Sequence, residues 1–240
     1  MRAILLVILS SLGAMGLTSC GDSWVGEGEE ASAAEVLQLQ FAAEKPTDSE
    51  GAYQQVCMNC HGDRGQGNEA LNSPSIAGLP TWYIEEQLRK FREGQRGAHG
   101  QDTMGQQMRA IAMSLTDAQI VEAVRTISEF EVILTELPPN EANLAKGRYI
   151  FANECMECHR FNGKGEVVFH SAQLVSLNRS YLRRQLDHFH RGVRGSHPDD
   201  FYGNKMVLVT SHLSDEDIDA LVDYIGVLAH GDDPRPARER

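Results

Sequence analysis

One stretch of this chain recurs 98 residues further on, and a repeat of that length decides the architecture before any local feature does. The offset carries Cys57 to Cys155, Cys60 to Cys158, His61 to His159, Tyr83 to Tyr181, Leu88 to Leu186 and Phe91 to Phe189 without a gap. It continues through Gly94 and Gly192, Arg96 and Arg194, His99 and His197, Gly105 and Gly203, Met108 and Met206, and Asp117 and Asp215. Two homologous domains in tandem follow. The boundary is expected near Leu137-Pro138-Pro139-Asn140, where paired prolines end an apolar helical run, giving domains over 51–139 and 140–240. A linker this short predicts that the domains pack together.

Apolar residues recur at helical spacing within each copy and no stretch alternates as a strand, so the expected fold class is all-α. A helix over Thr81 to Glu93 should close on Gly94, and its mate on Gly192, with glycine supplying the left-handed backbone. The last helix of each copy opens on a capping pattern, Thr116 with Gln119 and Ser214 with Asp217. Its stripe, Ile120, Val124 and Ile127 or Ile218, Val222 and Ile225, reads as core.

Ahead of the repeat, Arg2 precedes an apolar run from Ala3 to Leu17 that is too short to span a bilayer comfortably, the pattern of an export signal over residues 1–19. It ends Leu17-Thr18-Ser19-Cys20-Gly21, which resembles a bacterial lipobox in which Cys20 is acylated. Ordinary cleavage nearby is the alternative. The net charge of −12 is concentrated in residues 21–50, where eight acids face one base. That balance argues against nucleic acid as a partner. The segment 20–50 reads as an acidic tether, with a reach of about 30 Å if flexible.

With Cys20 assigned to the anchor, the other four cysteines fall in Cys57-Met58-Asn59-Cys60-His61 and Cys155-Met156-Glu157-Cys158-His159, leaving none for a disulfide. C-x-x-C-H is the attachment sequence for c-type haem: both thiols bond covalently to one edge of the porphyrin, and the adjacent histidine is directed at the iron. A zinc site or a dithiol redox pair would leave His61, His159 and the repeat unexplained. Two covalent haem c groups are therefore expected, on Cys57 and Cys60 and on Cys155 and Cys158, with His61 and His159 as axial ligands.

The second axial ligand is chosen by the repeat. In the second copy Met206 is the one methionine outside the haem motif, and of Met104, Met108 and Met113 only Met108 maps to a methionine. Met108 and Met206 are the expected ligands. Met113 then reads as core filler and Met104 as a loop or surface residue. His99 and His197 also match between copies and are the alternative ligands, or loop histidines near the haem edge. His170, His188, His190, His212 and His230 lack a histidine mate and default to surface or local packing roles. Arg96 and Arg194 either pair with a haem propionate or stabilise a helix C-terminus.

These features together resemble the di-haem cytochrome c4 family of class I cytochromes: two C-x-x-C-H domains, each followed by Phe-x-x-Gly-x-Arg-Gly, a ligand methionine and a Leu-Ser/Thr-Asp helix. The resemblance spans about residues 50 to 230. It implies two all-helical domains related by a pseudo-two-fold axis, with haems near their interface. It also implies electron transfer in the periplasm of a Gram-negative bacterium, from a quinol-oxidising complex to a haem-copper terminal oxidase. In the family a Pro-x-x-x-Gly stretch supports the ligand histidine through a backbone carbonyl. Pro74 to Gly78 fits, but Ala172 and Ser176 stand at the matching positions of the second copy.

Three functions compete. Iron closed by histidine and methionine suits a stand-alone carrier, anchored at Cys20 to the periplasmic side of a membrane. The same fold would serve as the electron-accepting haem subunit of a periplasmic dehydrogenase. A di-haem enzyme of peroxidase type needs one open iron.

Overall fold

The computed structural model describes residues 51–134 and 138–231. The leader, Cys20, the acidic segment and Leu137 of the expected boundary lie outside them. Among the described residues all named elements are helical, and pairing of extended backbone is confined to two isolated bridges, Asn68 with Ser73 and Glu166 with Ser171. No helix among them is long and apolar enough to cross a membrane.

Each half repeats one plan. In the first, a single π-helical turn, Tyr53–Cys57, leads into α1 (Met58–His61). A 3-10 turn, Glu69–Leu71, is followed by α2 (Thr81–Arg92), α3 (Thr103–Ser114) and α4 (Asp117–Ser128). The second half begins with α5 (Glu141–Ile150) and a π-helical turn, Phe151–Cys155, then α6 (Met156–His159). A 3-10 turn, Val167–Phe169, precedes α7 (Arg179–His190), α8 (Phe201–Thr210) and α9 (Asp215–Ala229). The π turns place a widened helical ring directly before each C-x-x-C-H, a device that re-aims the side chains after it.

The end signals in the sequence act as expected. Gly94 and Gly192 stand at φ +78° and +68°, just past α2 and α7. Both capping boxes are present, with the side chains of Thr116 and Ser214 each accepting from the backbone N–H three residues on. The core stripe is buried at Val124, Ile127, Ile218, Val222 and Ile225; Ile120 is only half-buried, because Gln119 turns inward beside it. In the second half α5 crosses α9 so closely that a Cβ on Gly147 would lie 2.0 Å from the Ala220 carbonyl oxygen. Glycine is what allows that approach.

Met113 departs from its expected place. It is 52% exposed. The reason is helical phase: Met104, Met108, Ile111 and Leu115 share one face of α3 at spacings of four, three and four, and Met113 falls on the opposite face. Met104 consequently lines the interior rather than the surface.

Candidate haem sites

The first site is an apolar cavity of about 260 Å³. Cys57, Cys60 and His61 form one wall, and Met104, Met108 and Ile111 of α3 stand in the lining with them. Cys60 is exposed while Cys57 is half-buried. Burial, then Glu122 and Cys60, pushes the Cys57 thiol up to about 12. Burial, then Glu154 and Cys158, does the same to Cys155. The two cysteine pairs do not meet: no group of three or more His, Cys, Asp or Glu side chains placed to hold a metal forms among the described residues.

The histidines are oriented from behind. His61 is buried, and its Nδ1 lies 2.9 Å from the Pro74 carbonyl oxygen. A carbonyl can only accept, so Nδ1 carries the proton and Nε2 presents its lone pair. His159 makes the same bond to the Ala172 carbonyl oxygen at 2.9 Å. The lost Pro-x-x-x-Gly pattern is therefore immaterial to this contact, because the acceptor is backbone and survives the change of side chain. Burial pushes both imidazoles below their usual range, against the pull of those carbonyls, so both are neutral bases at neutral pH. That is the form a metal needs.

In the second half Met206 and Cys155 pack against a single cluster built on Phe151, Leu182, Leu186 and Ile218. The loop between Arg194 and α8 is fastened tightly: Gly195 stands at φ +83°, and a Cβ there would lie 2.5 Å from the Gly203 carbonyl oxygen. Gly97 meets Gly105 in the same way in the first half. The Arg-Gly segment is thus pinned to the start of the methionine-bearing helix in both copies.

The matched arginines do something the sequence left open. Arg96 and Arg194 are both buried, and neither is in salt-bridge contact with a carboxylate among the described residues. They sit on the axis between the halves instead. Arg96 donates to Gln87 Oε1 at 2.8 Å, to Tyr181 Oη at 2.6 Å and to Gln185 Oε1 at 3.2 Å. Arg194 donates to Gln185 Oε1 at 2.7 Å, to Gln87 Oε1 at 3.0 Å and to Tyr83 Oη at 3.5 Å. Each guanidinium lies over a phenylalanine of its own half, Phe91 or Phe189, at 4.4 and 4.5 Å. All these partners are repeat mates, and the crossing pattern is reciprocal, as a pseudo-two-fold axis requires.

Haem c fits what is present. Arg96 and Arg184 both line the first cavity, and the Nε of each is buried without a protein partner. Buried cationic donors left open call for an anion, and haem propionates supply one. The cavity is also completed by the other half, through Leu177, Tyr181, Arg184 and Gln185. Nothing in the local motifs announces those contributions. His99 and His197, by contrast, use Nδ1 to accept from the backbone of Gln101 and Asp199, and His99 is exposed.

The cytochrome c family model matches residues 48–125 and 144–229. A cytochrome c4 of Pseudomonas aeruginosa is 24% identical over 234 residues, covering 94% of this chain and 98% of the relative. The thiosulfate dehydrogenase electron acceptor of Thiomonas intermedia (strain K12) is 28% identical over 151 residues, which is 59% of this chain and 66% of that relative's length. The crystal structure of reduced cytochrome c4 from Pseudomonas stutzeri shares the fold, with a TM-score of 0.58 and 24% identity over 75% of this chain and 97% of that one. With a C-x-x-C-H site in each matched half, the chain belongs to the cytochrome c family, as a class I member of the cytochrome c4 kind with two covalently bound haem c groups.

Proposed function

We propose that the chain is a di-haem electron carrier whose irons are closed by His61 with Met108 and by His159 with Met206. The observation that carries this reading is the first cavity: a neutral imidazole held by a backbone carbonyl and a methionine on the inward face of α3 line a single apolar space. The bound groups supply the one-electron iron couple, and methionine ligation raises its potential. The chain's own residues fix the imidazole tautomer and wall the cavity with apolar side chains, and Cys57 and Cys60 would hold the group covalently while Arg96 and Arg184 would face its propionates. Anchorage of Cys20 on the periplasmic side of a Gram-negative membrane would let the tether carry the domains between complexes. In this role the protein would take electrons from a quinol-oxidising complex and pass them to a haem-copper terminal oxidase.

A spectrum of the reduced protein with and without carbon monoxide, alongside a haem count, tests the closed sites. Two haems that ignore carbon monoxide are expected. A haem that binds it has an open position, and the peroxidase-like reading then replaces this one. The similarity to the thiosulfate dehydrogenase electron acceptor favours a second reading, an electron-accepting subunit of a periplasmic dehydrogenase. Reduction of the haems within a mixing time by thiosulfate dehydrogenase and thiosulfate, and not by a quinol-oxidising complex, would select it.

A further inference from the structure

The helices that carry the two methionines are capped in the same way and gripped differently. Asp102 caps α3, accepting from Gly105 N at 2.9 Å, and Asp200 caps α8, accepting from Gly203 N at 3.0 Å. Both carboxylates are 4% exposed, and Asp102 lines the first haem cavity. A basic side chain on the long helix of the opposite half faces each of them. Lys90 Nζ of α2 lies 2.9 Å from Asp200 Oδ1, and His188 Nδ1 of α7 lies 3.7 Å from Asp102 Oδ1. Lys90 and His188 are mates in the repeat, both buried, and they reach across the axis reciprocally. One copy of a symmetric device therefore holds a lysine, and the other a histidine, the side chain suited to a pH switch.

We infer that His188 is a positioning residue that ties the first haem to pH from across the interface: protonated, it clamps the cap of the Met108 helix as Lys90 clamps the cap of the Met206 helix. The inference rests on the ligation by Met108 and Met206 proposed above. His188 Nδ1 has no hydrogen-bond partner, so the clamp depends on charge. Besides Asp102, the charged groups facing it are Asp187 and Arg184 of its own helix and Arg194 from the loop beyond. Burial holds its titration below the ordinary histidine value of 6.5, against the upward pull of Asp102 and Asp187.

The sign follows from linkage. Reduction removes one positive charge from the iron centre, so a cation nearby favours the reduced form, and by reciprocity reduction favours proton binding. The potential of the first haem should be highest in acid, fall as pH rises through the His188 titration, and then level. The potential of the second should stay flat, because a lysine stands there in place of the histidine. His170 also crosses the interface, with Nδ1 2.8 Å from Glu86 Oε2, but Glu86 is shared with Lys90 at 2.7 Å and His170 is half-exposed. Its mate is Asn72.

The test exchanges mates, so that each new side chain enters a site built for it. The two potentials of the full-length holoprotein are measured from pH 4.5 to 8.5 in the wild type and in His188→Lys, Lys90→His and His170→Asn. One sloping wave is expected in the wild type and in His170→Asn, none in His188→Lys, and two in Lys90→His. A slope that survives in His188→Lys, or one that vanishes in His170→Asn, overturns the inference. The absorption band of methionine-ligated ferric haem is read on the same samples. If the wild type lacks it, the proposed ligation fails and this inference with it; if the band is present and neither wild-type wave moves, this inference fails alone.

Discussion

At the scale of single residues, the reciprocal arginines show how a matched pair acquires a role through its surroundings. Against the opposing push of burial, Arg96 and Arg194 hold the Tyr181 phenol below its ordinary range, which marks a hydroxyl committed to cationic donors. Removing it leaves a buried guanidinium with one fewer partner. A hydrogen bond to a charged group contributes about 1.5–3 kcal/mol, so Tyr181→Phe should lower the denaturant midpoint correspondingly. Tyr83→Phe should cost less, since Tyr83 receives its contact at 3.5 Å against 2.6 Å for Tyr181. Equal losses in the two variants would contradict this asymmetry. The repeat made the pairing of these residues visible. It could not show that each arginine reaches into the other half, because mates occupy equivalent positions whether or not they cross the axis.

At the scale of elements, the helix ends were the most legible part of the fold, since caps and closing glycines are local chemistry. Asp217 shows local chemistry combining with packing. It completes the α9 capping box and also accepts an ion pair from Lys146 of α5 at 2.8 Å. The Lys146 ammonium and then the Ser214 backbone N–H hold its carboxyl down to about 2, from an ordinary 3.8. A folded-state value below the unfolded one contributes stability that is complete above pH 3.8 and lost as pH falls through about 2. Asp217→Asn should therefore reduce stability at pH 6 by clearly more than at pH 2, as read from thermal midpoints. A constant difference across that range would remove the ionised carboxyl from the explanation. Helical phase decided what the ends could not: Met113 was expected inside and lies outside, because one further residue of rotation separates a core face from a surface.

At the scale of the whole molecule, the first haem cavity lies where a core would otherwise be. An apolar cavity of about 260 Å³ that kept no ligand would be costly, at about 24 cal/mol per Å³ in one well-studied series, or about 6 kcal/mol here. That is comparable with the entire stability of a small domain. A variant with Cys57, Cys60, Cys155 and Cys158 all replaced by alanine, made without haem, should be poorly folded. A cooperative thermal transition in that variant would show that the polypeptide packs without its cofactor. Because Tyr181, Arg184 and Gln185 complete the first cavity, loss of the first haem alone should also loosen the second half.

The repeat, the helical class and the sites of covalent attachment were legible in the sequence, because each is set by spacing along the chain or by equivalence between copies; the expectation of Met108 and Met206 as ligands rests on that same equivalence. Tertiary structure decided which groups face one another across the axis. His188 and His170 had no histidine mate and read as incidental, yet they meet Asp102 and Glu86 of the other half. Contacts between residues 84 to 86 positions apart depend on how two packed domains are turned relative to each other. No local period or motif encodes that angle; it follows from burying both interface faces at once.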